Sequence, residues 1–161
     1  MRRALLLLII VAGTASAQLP GLRRRDPTPQ PPAAAPTLLG IDALRAEFAA
    51  QSGSDKVYFG GDSAVLTAPA RATLAAQAQW LRRHPEIVVR IEGHADPSDT
   101  RDHALAVASR RAAEVRDYLM LLGVPAAQLS TVSWGKERIA VIGVSQDALA
   151  LNRRAVTVLV R

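Results

Sequence analysis

Between Glu92 and Val115 the chain reads EGHADPSDTRDHALAVASRRAAEV, and most of the side chains able to do chemistry gather there. His94, Asp96, Asp99, Asp102 and His103 are five residues of metal-ligating type within ten positions. Their spacing matches no established motif such as H-E-x-x-H. Asp99 and Asp102 also suit a helix start, where carboxylates cap free N–H groups and complement the dipole. For hydrolysis, Asp62, Asp96 and Asp99 are candidate paired carboxylates. Ser98 and Ser109 are candidate nucleophiles, but neither sits in a nucleophile elbow. Neither an enzyme, a cofactor nor a metal centre is expected. A third chemistry is recognition. Asp96 precedes a helical segment, and Ala104, Val107 and Arg111 within it are spaced i, i+3, i+7, so they share one face. A carboxylate and a guanidinium fixed across a small pocket suit a zwitterion: the first takes an ammonium, the second a carboxylate bidentately. The simpler alternative is an internal Asp96–Arg111 salt bridge.

These residues need a scaffold, and the hydropathy pattern supplies one. DKVYFG (Asp55–Gly60) predicts a strand. Thr67 caps a helix with Pro69 in its first turn, Leu74, Ala78 and Leu81 on one face, and His84-Pro85 at its end. Ile87, Val89 and Ile91 alternate with Val88, Arg90 and Glu92, which predicts a second strand. From about Asp102 to Leu122, Leu105, Ala108, Ala112, Val115, Leu119 and Leu122 form one apolar stripe, stopped by Gly123 and Pro125. Leu129–Trp134 is a third strand, Ser145–Asn152 a short helix, and Ala155–Val160 a last strand apolar enough on both sides to lie inside the sheet. The order β-α-β-α-β-(α)-β predicts an α+β two-layer sandwich, with helices on one face of a mixed four-stranded sheet.

Upstream, residues 1–17 (MRRALLLLIIVAGTASA) have the three-part pattern of a secretory signal, with cleavage expected after Ala17. The apolar run is too short to span a bilayer. Six of the ten prolines fall between Pro20 and Pro36, so residues 18–36 read as a semi-rigid tether. Leu38, Ile41, Leu44 and Phe48 then mark a short amphipathic helix, whose default place is against the domain. The expected organisation is a signal peptide over 1–17, a tether with its helix over 18–54, and a folded domain over 55–161.

The chain carries a net charge of +6 and no cysteine. The missing cysteine excludes disulfides, thiolate metal sites, a cysteine nucleophile and a lipid-modified cysteine. Export makes nucleic acid an unexpected partner for the basic surplus, despite a pI near 10.9. For an exported, periplasmic bacterial protein, the abundant zwitterion is the free end of meso-diaminopimelate in peptidoglycan stem peptides.

VYFGGD (Val57–Asp62), EGHAD (Glu92–Asp96), SRRAAEVRDYL (Ser109–Leu119), SWGKE (Ser133–Glu137) and NRRAV (Asn152–Val156), with Gly123-Val124 between them, occur in one order. Together they resemble the OmpA-like peptidoglycan-binding domain, closest to the peptidoglycan-associated lipoprotein (Pal) type, over about residues 55–161. The resemblance implies noncovalent binding of diaminopimelate-type peptidoglycan near the outer membrane, with a TolB-like periplasmic protein as a further partner. It places the ligand-reading acid at Asp96 and the ligand-reading guanidinium at Arg111. It adds Gly61 and Asp62 to the pocket lining, and Ala95 and Val107 around the peptide stem. By the same resemblance His94 shapes the loop, and Arg153 and Arg154 are open to a structural or a binding role.

Three departures stand out. Ala104 occupies the place of the family's usual asparagine, which would share the Arg111 face, so Ala104→Asn is expected to tighten binding. Asp99 stands where the family has glycine, with Pro97 stiffening the turn. The cysteine that would carry a lipid anchor is missing. The alternative reading is an interaction module of a Tol-Pal-like system that keeps the fold with weakened or lost wall binding.

Overall fold

The computed structural model describes residues 38–160. The expected signal peptide and tether lie outside the described residues. Helix α1 runs Leu38–Ser52, strand β1 Lys56–Tyr58, α2 Ala68–Arg83, β2 Val89–Gly93, α3 Arg101–Leu121, β3 Leu129–Ser133, α4 Gln146–Asn152 and β4 Arg154–Leu159. A single 3₁₀ turn at Ala126–Gln128 leads into β3. Local chemistry sets these limits. Thr67 and Thr100 accept from the backbone N–H groups of Ala70 and His103 at the starts of α2 and α3. Gly123, at φ +87°, turns the chain away after α3.

The sheet order is β1-β4-β2-β3. β2 and β3 run parallel, Val89 beside Leu129 and Gly93 beside Ser133. β4 is antiparallel to both its neighbours, β1 and β2. The last strand thus lies inside the sheet, as its apolar pattern predicts. The helices cover one face. A Cβ on Gly93 would sit 1.9 Å from the carbonyl oxygen of Ala108, so the absent side chain is what lets β2 and α3 approach.

Aliphatic side chains fill the core: Leu74, Leu81, Ile87, Val89, Ile91, Val115, Leu119 and Leu159 are all buried. α1 belongs to this body. Phe48 meets Trp80 of α2 edge-on at 5.2 Å between ring centroids, and Arg45 donates to the carbonyl of Leu159 at 3.1 Å. The stripe on α3 is wider than its predicted spacing. Ala104, Val107 and Arg111 are buried with Ala108, Ala112, Val115 and Leu119, while Leu105 and Leu122 are half-buried.

Candidate functional site

The parallel pair β2–β3 ends at Gly93 and Ser133, and the chain beyond both ends is tied down. Trp134 N donates to Gly93 O at 2.9 Å, His94 N to Arg154 O at 2.9 Å, and Ala95 N to Gly135 O at 2.8 Å. Asp96 follows on this anchored backbone. Its Oδ1 accepts from the N–H of Ser98 at 3.0 Å, and its Oδ2 from Nη1 of Arg153 at 3.1 Å. Burial alone would raise the Asp96 pKa, but the Ser98 hydrogen bonds and Arg153 outweigh it and hold the carboxyl below its ordinary value.

Arg111 projects from α3 beneath the same loop and is 1% exposed. Its Nε donates to Ser63 O at 3.0 Å, Nη1 to His94 O at 2.8 Å, and Nη2 to Gly61 O. One guanidinium therefore ties the β1–α2 loop to the β2–α3 loop through main-chain acceptors. The Phe59 ring lies 5.3 Å from its central carbon. Burial lowers its pKa to about 10, against Asp62 and Asp96, which raise it. A guanidinium has five N–H donors. Three are used here, which leaves one on each terminal nitrogen.

Asp96 and Arg111 do not form the internal salt bridge. Among the described residues no hydrogen bond or ion pair joins them, because each has taken other partners. The face shared by Ala104, Val107 and Arg111 exists and is buried: Ala104 packs against Ala95 of the loop after β2, and Arg111 reaches the carbonyls of both loops. Val107 is 1% exposed, so it packs inside instead of lining an open stem site. Ala95 is buried as well, in a small-residue seam with Ala104 and Ala108. Ala104 is 1% exposed, so an asparagine there would have to enter that seam rather than an open pocket. Gly61, exposed at φ +46°, contributes the carbonyl that Arg111 holds. An open groove of about 390 Å³ beside Asp62 is lined by Arg71, Arg110, Glu114 and Tyr118, and by neither Asp96 nor Arg111.

Asp62 lies at the rim with His103 and Asp99. His103 Nε2 is 3.1 Å from Asp62 Oδ2 and 3.8 Å from Asp99 Oδ2. Their ligating atoms lie within 4.8 Å of one another, so these three could reach a single ion; His94, Asp96 and Asp102 do not join them. All three are exposed or half-exposed, and the hydrogen bond from His103 to Asp62 accounts for the arrangement without an ion.

His94 is 2% exposed, and neither ring nitrogen has a hydrogen-bond partner. Burial, then Arg154, lowers its pKa to about 4, so the ring is neutral at physiological pH. A neutral, packed ring suits the loop-shaping role the resemblance implies. Two features had no reading from sequence alone. The three carbonyls around Arg111 carry no residue-type signal. Asn152, fully buried, holds the segment before α4 by accepting from Ala140 N and Val141 N and donating to Val141 O and Ala148 O. The NRRAV motif contains the signal for Asn152, since an asparagine between two apolar runs has to be paired.

An α+β sandwich of this topology, with a carboxylate on the loop after β2 and a guanidinium on α3 beneath it, is an OmpA-like domain. The chain belongs to the OmpA family, whose model matches residues 58–153. Curated relatives include a peptidoglycan-associated lipoprotein of Agrobacterium fabrum, 46% identical over 105 residues, covering 65% of this chain and 59% of that one. A peptidoglycan-associated lipoprotein of Brucella melitensis is also 46% identical over 105 residues, covering 65% and 62%. The match thus spans about three fifths of the length of these relatives. Among solved structures, the peptidoglycan-associated lipoprotein from Burkholderia pseudomallei superposes with a TM-score of 0.65 at 38% identity, covering 67% of this chain and 92% of that one.

Proposed function

We propose that this chain is exported and binds peptidoglycan noncovalently in the periplasm, through the diaminopimelate stem peptide. Asp96 receives the ammonium and Arg111 the carboxylate. The observation that carries this reading is that Asp96 on the β2–α3 loop and Arg111 on α3 beneath it are held close to the same backbone without being spent on each other. Arg111 grips the carbonyl of His94, two residues before Asp96, and keeps two N–H groups in reserve. Arg111 is 1% exposed and holds the Gly61 carbonyl, so a ligand reaching the guanidinium displaces that contact. The names of the relatives support wall binding, and the reading is one of recognition without turnover.

The test is sedimentation with purified sacculi. Diaminopimelate-type walls should retain the protein, and lysine-type walls should not, because a lysine side chain ends in an ammonium and offers Arg111 no carboxylate. Asp96→Asn should release it. Equal retention on both walls defeats the stem-peptide assignment.

A second reading, an interaction module contacting a TolB-like protein, is favoured by the burial of Arg111 and by an exposed apolar segment. Ile142 and Val144 are 89% and 88% exposed. Capture by such a partner with no retention on sacculi would select it.

A further inference from the structure

Asp96 does not hold its position alone, and the residue that fixes it lies 57 positions away in sequence. We propose that Arg153 is the positioning residue of the recognition site: it orients the Asp96 carboxylate for an incoming ammonium. The inference rests on the peptidoglycan reading above and adds a specificity-determining side chain to it.

The scaffold first fixes the Arg153 backbone. Its N–H donates to Leu149 O at 3.2 Å as α4 ends, and its carbonyl accepts from Phe59 N at 2.8 Å beside β1. The preceding residue, Asn152, is locked by its four hydrogen bonds. From that base the side chain reaches Asp96. The two side chains are 15% and 11% exposed. Among the described residues no other lysine or arginine pairs with a carboxylate with both partners so far from water; Arg90–Glu92, for instance, has its arginine 40% exposed.

Both carboxylate oxygens are thereby tied, one to Ser98 N and one to Arg153, which fixes the plane of the group and leaves each oxygen acceptor capacity for a ligand. The Nε of Arg153 is buried without a partner. Leaving a buried donor unmade is costly. The guanidinium is therefore placed by the demand of Asp96 and not by its own hydrogen-bonding needs. The other charges nearby are Arg111 from α3 and, acting on it, Asp62 from the β1–α2 loop and Arg110.

The test uses the full chain and the synthetic tripeptide L-Ala-γ-D-Glu-meso-diaminopimelate, titrated calorimetrically from pH 8 to pH 5. The wild type should bind with nearly constant affinity across this range. Arg153→Gln should bind about tenfold more weakly at pH 8, the loss expected for one charge-assisted hydrogen bond, and progressively more weakly toward pH 5. Arg153→Lys should restore the flat profile with intermediate affinity, and it also carries the test if the glutamine variant fails to fold by circular dichroism.

A ligand-free measurement separates this inference from the reading beneath it. The carboxyl carbon of Asp96, followed by NMR, should titrate at higher pH in Arg153→Gln than in the wild type. If the wild type ignores the tripeptide while that shift occurs, the stem-peptide reading fails and the positioning stands. If the wild type binds but Arg153→Gln binds equally well, or more tightly, or with an unchanged pH profile, Arg153 is a bystander or a competitor and the proposal is overturned.

Discussion

Two sets of charges flank the same loops, and they are built on opposite terms. The inner set, Arg111 with the Asp96–Arg153 pair, is almost entirely removed from water. The outer set, His103 between Asp62 and Asp99, is 44–60% exposed. Distances in the two sets are similar, near 3 Å at the closest contacts. What differs is the surrounding medium. A buried guanidinium that loses its acceptors has no water to fall back on, whereas an exposed imidazole exchanges one partner for another at little cost. Geometry alone would rank the sets as equals; burial ranks them far apart.

Arg111→Met is the strongest challenge to that ranking. It removes the donor to three carbonyls in two loops and should lower the unfolding free energy by roughly 3–5 kcal/mol in a urea titration. A loss below about 1 kcal/mol would mean that the inner set is no more structural than the outer.

His94 sharpens the inner side by pH. Its folded pKa of about 4 lies below its ordinary value of 6.5. The unfolded chain therefore binds the proton first, and the stability contribution, complete above pH 6.5, is lost as pH falls toward 4. His94→Gln should remove about 1–3 kcal/mol of that acid sensitivity, read as a flatter plot of unfolding free energy against pH between 6.5 and 4.

Ala104→Asn probes the seam beside Arg111. Inserting an amide among Ala95, Ala104 and Ala108 should cost about 1–3 kcal/mol and weaken sedimentation with sacculi. Tighter retention would show that the seam opens to ligand after all. At the outer set, His103→Ala should change stability by less than about 1 kcal/mol, and even that difference should shrink in high salt. A larger effect would place the rim among the structural charges.

Much of the scaffold could be read before any coordinates. Caps at Thr67, the stop at Gly123, the alternation through Val89 and Ile91, and the two-sided apolar character of the last strand are local signals, and local physics honours them. The candidate site was legible in part. Asp96 and Arg111 do approach one loop, as the motif order implies. Their partners were not legible, for two separate reasons. Arg111 is satisfied by carbonyls, which every residue carries and no sequence advertises. Arg153 reaches Asp96 only because β4 inserts beside β2, a pairing set by tertiary topology. The i, i+3, i+7 spacing placed Ala104, Val107 and Arg111 on one face correctly. It did not tell which way that face would turn, since α3 packs against both the sheet and α2 and so buries more than one stripe.

β4 comes last among the strands yet lies between β1 and β2. A copy still being made has no centre to its sheet, and Asp96 has no counter-ion, until these late residues arrive. Non-local pairing of this kind delays folding. It also means that a copy truncated before Arg153 lacks the central strand and the counter-ion of Asp96 together, so the sheet and the buried ion pair are completed in one late step.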